Sequence, residues 1–166
     1  VVVILCLIFG GGSWKTPINN VMDVLNDGDG KAYEELMPPY YKDMADALDG
    51  IIEISDEDFD EEAEKQRDRL TKKYGDDAEI SYEVVKKTEV DSDDIDSYND
   101  MSDLASVLSV KKAKKYKLTK AYKVKIKYTI EGENADKTDK TTVIVGKMDG
   151  TWVLLDEGDL PISTGF

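Results

Sequence analysis

Apolar residues follow three rhythms along this chain. The first is unbroken: Val1-Val2-Val3-Ile4-Leu5-Cys6-Leu7-Ile8-Phe9 carries no polar side chain and runs into Gly10-Gly11-Gly12-Ser13-Trp14-Lys15. The second has the period of a helix. Thr16 supplies an N-cap residue and Pro17 a proline at the first helical position, after which Ile18, Val21, Met22 and Leu25 recur at helical spacing. Asn26-Asp27-Gly28-Asp29-Gly30 closes that helix, Tyr33, Leu36 and Met37 begin another, and Pro38-Pro39 interrupts it. A helical pattern resumes over 40–48 and ends at Gly50. A further helix is predicted over 56–74, acidic at its start and basic near its end, as the helix dipole prefers. Its apolar content is only Phe59, Ala63, Leu70 and Tyr74, so it should lie at the surface, with Gly75 as C-cap.

The third rhythm is period two. Ile80, Tyr82 and Val84 alternate with Ser81 and Glu83, which predicts a strand over 78–90. A charged connection over 91–103 leads into a short helix with Met101, Leu104, Ala105 and Leu108 on one face. A long strand follows over 116–131. Tyr122, Val124, Ile126, Tyr128 and Ile130 share one of its faces, and Lys123, Lys125, Lys127 and Thr129 the other. After a turn at 132–134, strands over 141–148 and 151–156 form a hairpin about Asp149-Gly150, a strong hairpin signal. Helices followed by antiparallel strands with one apolar face give an α+β fold, with the N-terminal helices packed on one face of the sheet.

Those elements carry a resemblance. The opening Thr16-Pro17-Ile18-Asn19-Asn20-Val21-Met22-Asp23-Val24-Leu25-Asn26-Asp27-Gly28-Asp29, the strands at 123–130 and 142–147, and the closing Gly150-Thr151-Trp152-Val153-Leu154-Leu155-Asp156 resemble nuclear transport factor two-like domains, or cystatin-like cones. The resemblance covers roughly residues 16 to 157. It implies a curved antiparallel sheet wrapped about a long helix and leaving a cone-shaped pocket, which Tyr82, Tyr122, Tyr128 and Trp152 would line. It also implies a setting, because many exported proteins of Gram-positive bacteria carry such a domain beyond one membrane helix. The long acidic helix at 56–74 departs from that pattern.

The apolar head fits the setting. A spanning helix needs about 20 apolar residues, so Val1–Phe9 reads as the end of a membrane anchor or as the core of a signal peptide. A buried strand is the bland alternative. Leu5 and Leu7 flank Cys6, which argues against lipidation there. The expected organisation is an anchor or signal end at 1–9, a linker at 10–15, one domain at 16–160 and a tail at 161–166. The domain would then sit on the outer side of the cell membrane, or be secreted if the head is cleaved. It would have no cysteine, hence no disulfide and no thiol chemistry.

Charge and residue type narrow the function. With 36 acidic against 22 basic residues the net charge is −14, which argues against a nucleic-acid binder. The chain has no histidine, which removes the commonest general base and zinc ligand. Some enzymes of similar fold use a tyrosine and a carboxyl raised by burial in the cone, as ketosteroid isomerase does. The inward set here, Ile80, Tyr82, Val84, Tyr122, Val124, Ile126, Tyr128, Ile130, Trp152 and Leu154, contains no acid, so no catalytic residue and no cofactor are assigned. Asn26–Gly30 fails as a calcium loop: with Gly30 at the sixth position, leucines fall at the first and twelfth. Asp91–Asp96 lacks a glycine to fold it round an ion, and no metal is expected there either.

Nine lysines fall between Lys111 and Lys127. Their bland role is a solvated strand face that discourages edge pairing. Their functional role, through Lys123, Lys125 and Lys127, would be to bind an anionic envelope polymer or lipid headgroups. The expected function is therefore a tethered, non-enzymatic binding domain. A small-ligand carrier or cone-pocket enzyme is the alternative, and a homodimer a further expectation.

Overall fold

The structure, a computed structural model, describes residues 12–47, 56–101, 108 and 110–163. The apolar head, most of the short helix expected about Met101 to Leu108, and residues 164–166 lie outside them. No helix among the described residues is long and apolar enough to cross a membrane.

Six helices and four strands are described. They are α1 (Thr16–Asp27), α2 (Gly30–Glu34), α3 (Tyr41–Ala47), α4 (Asp56–Tyr74), β1 (Glu79–Glu89), α5 (Ser92–Met101), α6 (Val110–Lys115), β2 (Leu118–Glu131), β3 (Lys137–Met148) and β4 (Thr151–Asp156). The strands pair antiparallel in sequence order, β1-β2-β3-β4. The protein is α+β: four helices precede the antiparallel sheet, and α5 and α6 fall between β1 and β2. At the β3–β4 turn Asp149 and Gly150 both have positive φ, 47° and 81°, the geometry that two-residue hairpins require.

Several boundaries differ from expectation for local reasons. Thr16 is the first residue of α1, and Lys15 occupies the cap position. The Thr16 hydroxyl accepts from the Ser13 N–H at 3.0 Å, tying down the approach to the helix. The charged stretch after β1 is helical because Asp91 caps it, its carboxylate accepting from the Asp94 N–H at 2.9 Å. Lysine is a good helix former, and 110–115 forms α6, so β2 starts at Leu118.

The main core lies between the sheet and α1, α2 and α4. Ile18, Val21, Val24 and Leu25 of α1 are fully buried, as are Val124, Ile126, Tyr128 and Ile130 of β2 and Val143 and Val145 of β3. Full burial of each such side chain contributes roughly 1.5–3 kcal/mol. Helix α4 is more than a surface cover. Ala63, Gln66, Leu70 and Tyr74 form a buried stripe that seats it on α1 and α2, while most of its remaining described side chains face solvent. Packing continues past residue 160, since Leu160 and Ile162 both join this core.

A smaller apolar cluster occupies the opposite side of the sheet at one end. Leu118, Ala121, Met148 and Val153 are buried there, with Tyr40, Val90, Ile95, Tyr98 and Leu155 packed against them. The register irregularity at Leu118/Lys120 brings Leu118 to this side, while Leu155 follows Val153 there by alternation. Gly146 makes room for them, because a Cβ there would overlap the side chains of both. Helix α5 covers the cluster, so the helices do not all lie on one side of the sheet.

Side-chain amides join the layers. A carboxamide offers the same donor and acceptor as a peptide group. Asn26 accepts from the Ile80 N–H at 2.8 Å and donates to the Ile80 carbonyl at 3.0 Å, linking α1 to β1. Gln66 makes the same double bond to Ser163 (3.2 and 3.1 Å), and Asn99 to Leu118 (2.8 and 3.0 Å). Arg67 of α4 donates to the carbonyls of Leu25, Ala78 and Asp76, closing the C-terminal end of α1 against the entry to β1.

Candidate functional site

Alternation along β2 sets Lys123, Lys125 and Lys127 on the face away from the main core, about 7 Å apart in sequence order. The pairing register widens the group. Lys86 of β1 lies opposite Lys125, and Lys140 of β3 lies opposite Lys127. Five lysines therefore share one face across three strands. Like charges directly opposite one another destabilise a sheet. Two carboxylates answer them: Asp94 of α5 lies 3.6 Å from Lys123, and Glu83 lies 3.9 Å from Lys127. Lys125 has no ion-pair partner among the described residues, and Thr142 flanks it on β3. The sequence identified the β2 lysines but not Lys86 or Lys140, because register between strands is not written in the period of either.

The aromatic set expected to line one pocket separates into two pairs. Tyr82 and Tyr128 are cross-strand partners deep in the sheet. Tyr128 is fully buried, its hydroxyl donating to the Asp159 carbonyl at 3.3 Å and accepting from Lys137 Nζ at 2.7 Å. The Tyr82 hydroxyl donates to Asn19 of α1 at 2.7 Å. Tyr122 and Trp152 lie at the other end, stacked with centroids 5.3 Å apart and planes 14° from parallel. Trp14 completes that second group edge-on to Tyr122 at 6.3 Å. Lys87 Nζ lies 4.3 Å from the Tyr122 centroid and 5.0 Å from that of Trp14. Lys120 lies 5.3 Å from Tyr122, and Lys15 lies 5.5 Å from Trp14. Helical and strand periodicity gave no sign that Trp14 meets β2, since the contact is made across the sheet end.

A cleft of about 70 Å³ opens elsewhere, lined by Pro38, Tyr40, Tyr98, Met148, Leu154, Leu155 and Glu157. Burial pushes the Tyr40 and Tyr98 hydroxyls up from their ordinary value. The cleft is far smaller than the roughly 300–1,000 Å³ typical of small-molecule sites.

Two acids do share the main-core side of the sheet by register, Glu89 opposite Tyr122 and Asp139 opposite Tyr128. The bulge between Val84 and Lys86 shifts the alternation of β1 and turns Glu89 to that side. Both are exposed and ion-paired, Glu89 with Lys120 at 3.1 Å and Asp139 with Lys137 at 3.4 Å. The Asp139 carboxyl is held below its ordinary value by the Lys140 N–H and then by Lys137. That is the opposite of the raised carboxyl that proton transfer in an apolar pocket needs.

The acidic turns have structural occupations. Asp29 caps α2, accepting from the Ala32 N–H at 3.0 Å, and Gly28 ends α1 with φ 66°. No group of three or more metal-ligating side chains is arranged to hold an ion among the described residues.

Comparison of the chain with protein-family models, curated proteins and solved structures finds no match.

Proposed function

We propose that this chain is a membrane-tethered, extracytoplasmic binding domain of the cystatin-like cone type, non-enzymatic, whose lysine face takes an anionic polymer of the cell envelope. The observation that carries the reading is the placement of Lys86 opposite Lys125 and Lys140 opposite Lys127. Cross-strand lysine pairs weaken the sheet, and a row of phosphates would relieve them. The chain keeps this cationic strip despite a net charge of −14. A second copy packed face to face would oppose the same lysines, so polymer binding is favoured over dimerisation through this face. The carrier or enzyme alternative has less support, since the side chains expected to line a pocket are divided between the core and the sheet end.

Thermal unfolding at low salt, with and without poly(glycerol phosphate), tests this. A ligand of the native state raises the midpoint. The rise should disappear in the triple variant Lys123→Gln, Lys125→Gln, Lys127→Gln and shrink as salt screens the charges. An unchanged midpoint at saturating polymer would remove the proposal.

A further inference from the structure

We infer that the sheet end formed by Trp14, Lys87, Tyr122 and Trp152 docks on the anionic headgroups of a lipid bilayer. This rests on the reading of Val1–Phe9 as a membrane-inserted segment, and it assigns the part of the domain that faces the membrane.

Residue chemistry is the first argument. Trp14, Tyr122 and Trp152 form one contiguous group, and each remains partly exposed. Tyr128, on the same side of β2, shows the alternative, an aromatic ring wholly taken into the core. Tryptophan and tyrosine favour the headgroup level of a bilayer, where one part of the ring is dry and the polar edge is wet. Lysine suits the same depth, its methylene stem on apolar surface and its ammonium on phosphate. Lys15, Lys87 and Lys120 all have their ammonium groups within 5.5 Å of a ring centroid in this group. Glu89 neutralises Lys120 at 3.1 Å. Lys15 and Lys87 have no ion-pair partner among the described residues, so their charge is available to an anion.

Position is the second argument. Trp14 lies five residues beyond Phe9. Five residues span at most about 17 Å when fully extended. Insertion of the apolar head would therefore hold this sheet end close to the membrane whatever path Gly10 to Ser13 takes. The tether supplies a high local concentration, and the aromatic and lysine side chains supply the contacts. The five-lysine face is made of other side chains, so a docked domain could engage a polymer at the same time.

The chain offers its own reporter, because both of its tryptophans, Trp14 and Trp152, belong to this group. The experiment uses the full chain with phosphatidylcholine vesicles, with and without phosphatidylglycerol, including lipids brominated near the headgroup. In Trp14→Phe the remaining signal is Trp152, which lies on β4; the tether brings it near the membrane, but only docking sets its ring at headgroup depth. On anionic vesicles its emission should shift to the blue and be quenched by bromine. Lys15→Gln and Lys87→Gln should each weaken docking about fivefold, as expected for one lysine near an anionic surface, while the protein still floats with the vesicles through its head. Lys125→Gln should leave the response unchanged.

If the chain floats with the vesicles but Trp152 keeps its emission in buffer and is not quenched, the inference is overturned and this group serves another partner. An equal response on neutral vesicles overturns the headgroup assignment. If the chain does not float at all, the tether and the docking fall together. The polymer measurement is made without lipid and stands or falls separately. Should Trp14→Phe fail to fold, the same quenching on the unsubstituted chain and on Trp152→Phe gives the Trp152 share by difference.

Discussion

On β2, Val124, Ile126 and Tyr128 are fully buried, while the residues between and beside them, Lys123, Lys125 and Lys127, stand on the opposite face. The lysine side chains with ion-pair partners keep 51% and 41% of their exposure, so they remain available to solvent even when paired. The inner face is held by burial, which folding alone explains. The outer face is held in spite of its charge, since lysine meets lysine across both neighbouring strands. Threonine would serve the sheet at least as well there. Folding explains the inner face directly; on the outer face it supplies the carboxylates of Asp94 and Glu83, which pair Lys123 and Lys127 and leave Lys125 opposed by Lys86.

The largest effect that tests this contrast comes from the inner face. Ile126→Ala should cost about 2–5 kcal/mol, because it removes buried methyl groups and leaves a cavity between sheet and helices. Urea unfolding measures it. A loss below 1 kcal/mol would mean that the core closes over the gap and that the two faces are less different than their burial implies.

The period of two made this inner face legible from sequence, and the Asp149-Gly150 hairpin was legible for the same reason, as local chemistry with one good solution. What escaped was set by events that change parity or span distance. The irregularity at Leu118/Lys120 moves Leu118 to the lysine side, and no count of alternate residues through 116–131 predicts that. Helix α4 looked too polar to be seated, yet Gln66 is buried in its stripe because both ends of its amide find the Ser163 backbone. At the candidate site, the three β2 lysines could be read directly. Lys86 and Lys140 needed the register, and the meeting of Trp14 with Tyr122 needed the path of α1 over the sheet.

The end of the outer face that is not bare gives the next effect. Helix α5 covers Leu118 and Val153, and Asn99 fastens it with two hydrogen bonds to Leu118. Asn99→Ala leaves the N–H and carbonyl of a buried residue unpaired and should cost about 1–3 kcal/mol. Hydrogen exchange at Leu118 checks the mechanism: its amide should lose protection while that of Ile126 keeps it.

Lys125→Thr should have a smaller effect of the opposite sign. It removes the lysine opposed by Lys86 and should stabilise the sheet by up to about 1 kcal/mol at low salt. The gain should fade in high salt as the repulsion is screened. Destabilisation at low salt would show that the lysine stem packs usefully on the face, and the argument that folding does not require it would fail.

The smallest effect is a divergence in pH response between the two sides. Near the outer cluster, the hydrogen bond from the Tyr116 hydroxyl at 2.6 Å, followed by that from Lys112 at 3.2 Å, holds the Asp43 carboxyl below its ordinary value of 3.8. A carboxyl lowered by folding stabilises the protein fully above its unfolded value and loses that contribution as pH falls through the folded one. In the helical layer Asp23 is raised, first by burial and then by Asp27, Asp29 and Glu35. Its charge opposes folding at neutral pH, and the penalty is relieved as pH falls through the raised value. Midpoints of thermal unfolding followed from neutral to acid pH should therefore move in opposite senses for two variants. Asp43→Asn should lie below the unsubstituted protein at neutral pH, and Asp23→Asn slightly above it, with both differences closing in acid. Curves displaced in the same direction at neutral pH would mean that one of these carboxylates has partners other than those seen, and Asp23, crowded by three acids, would be the first to re-examine.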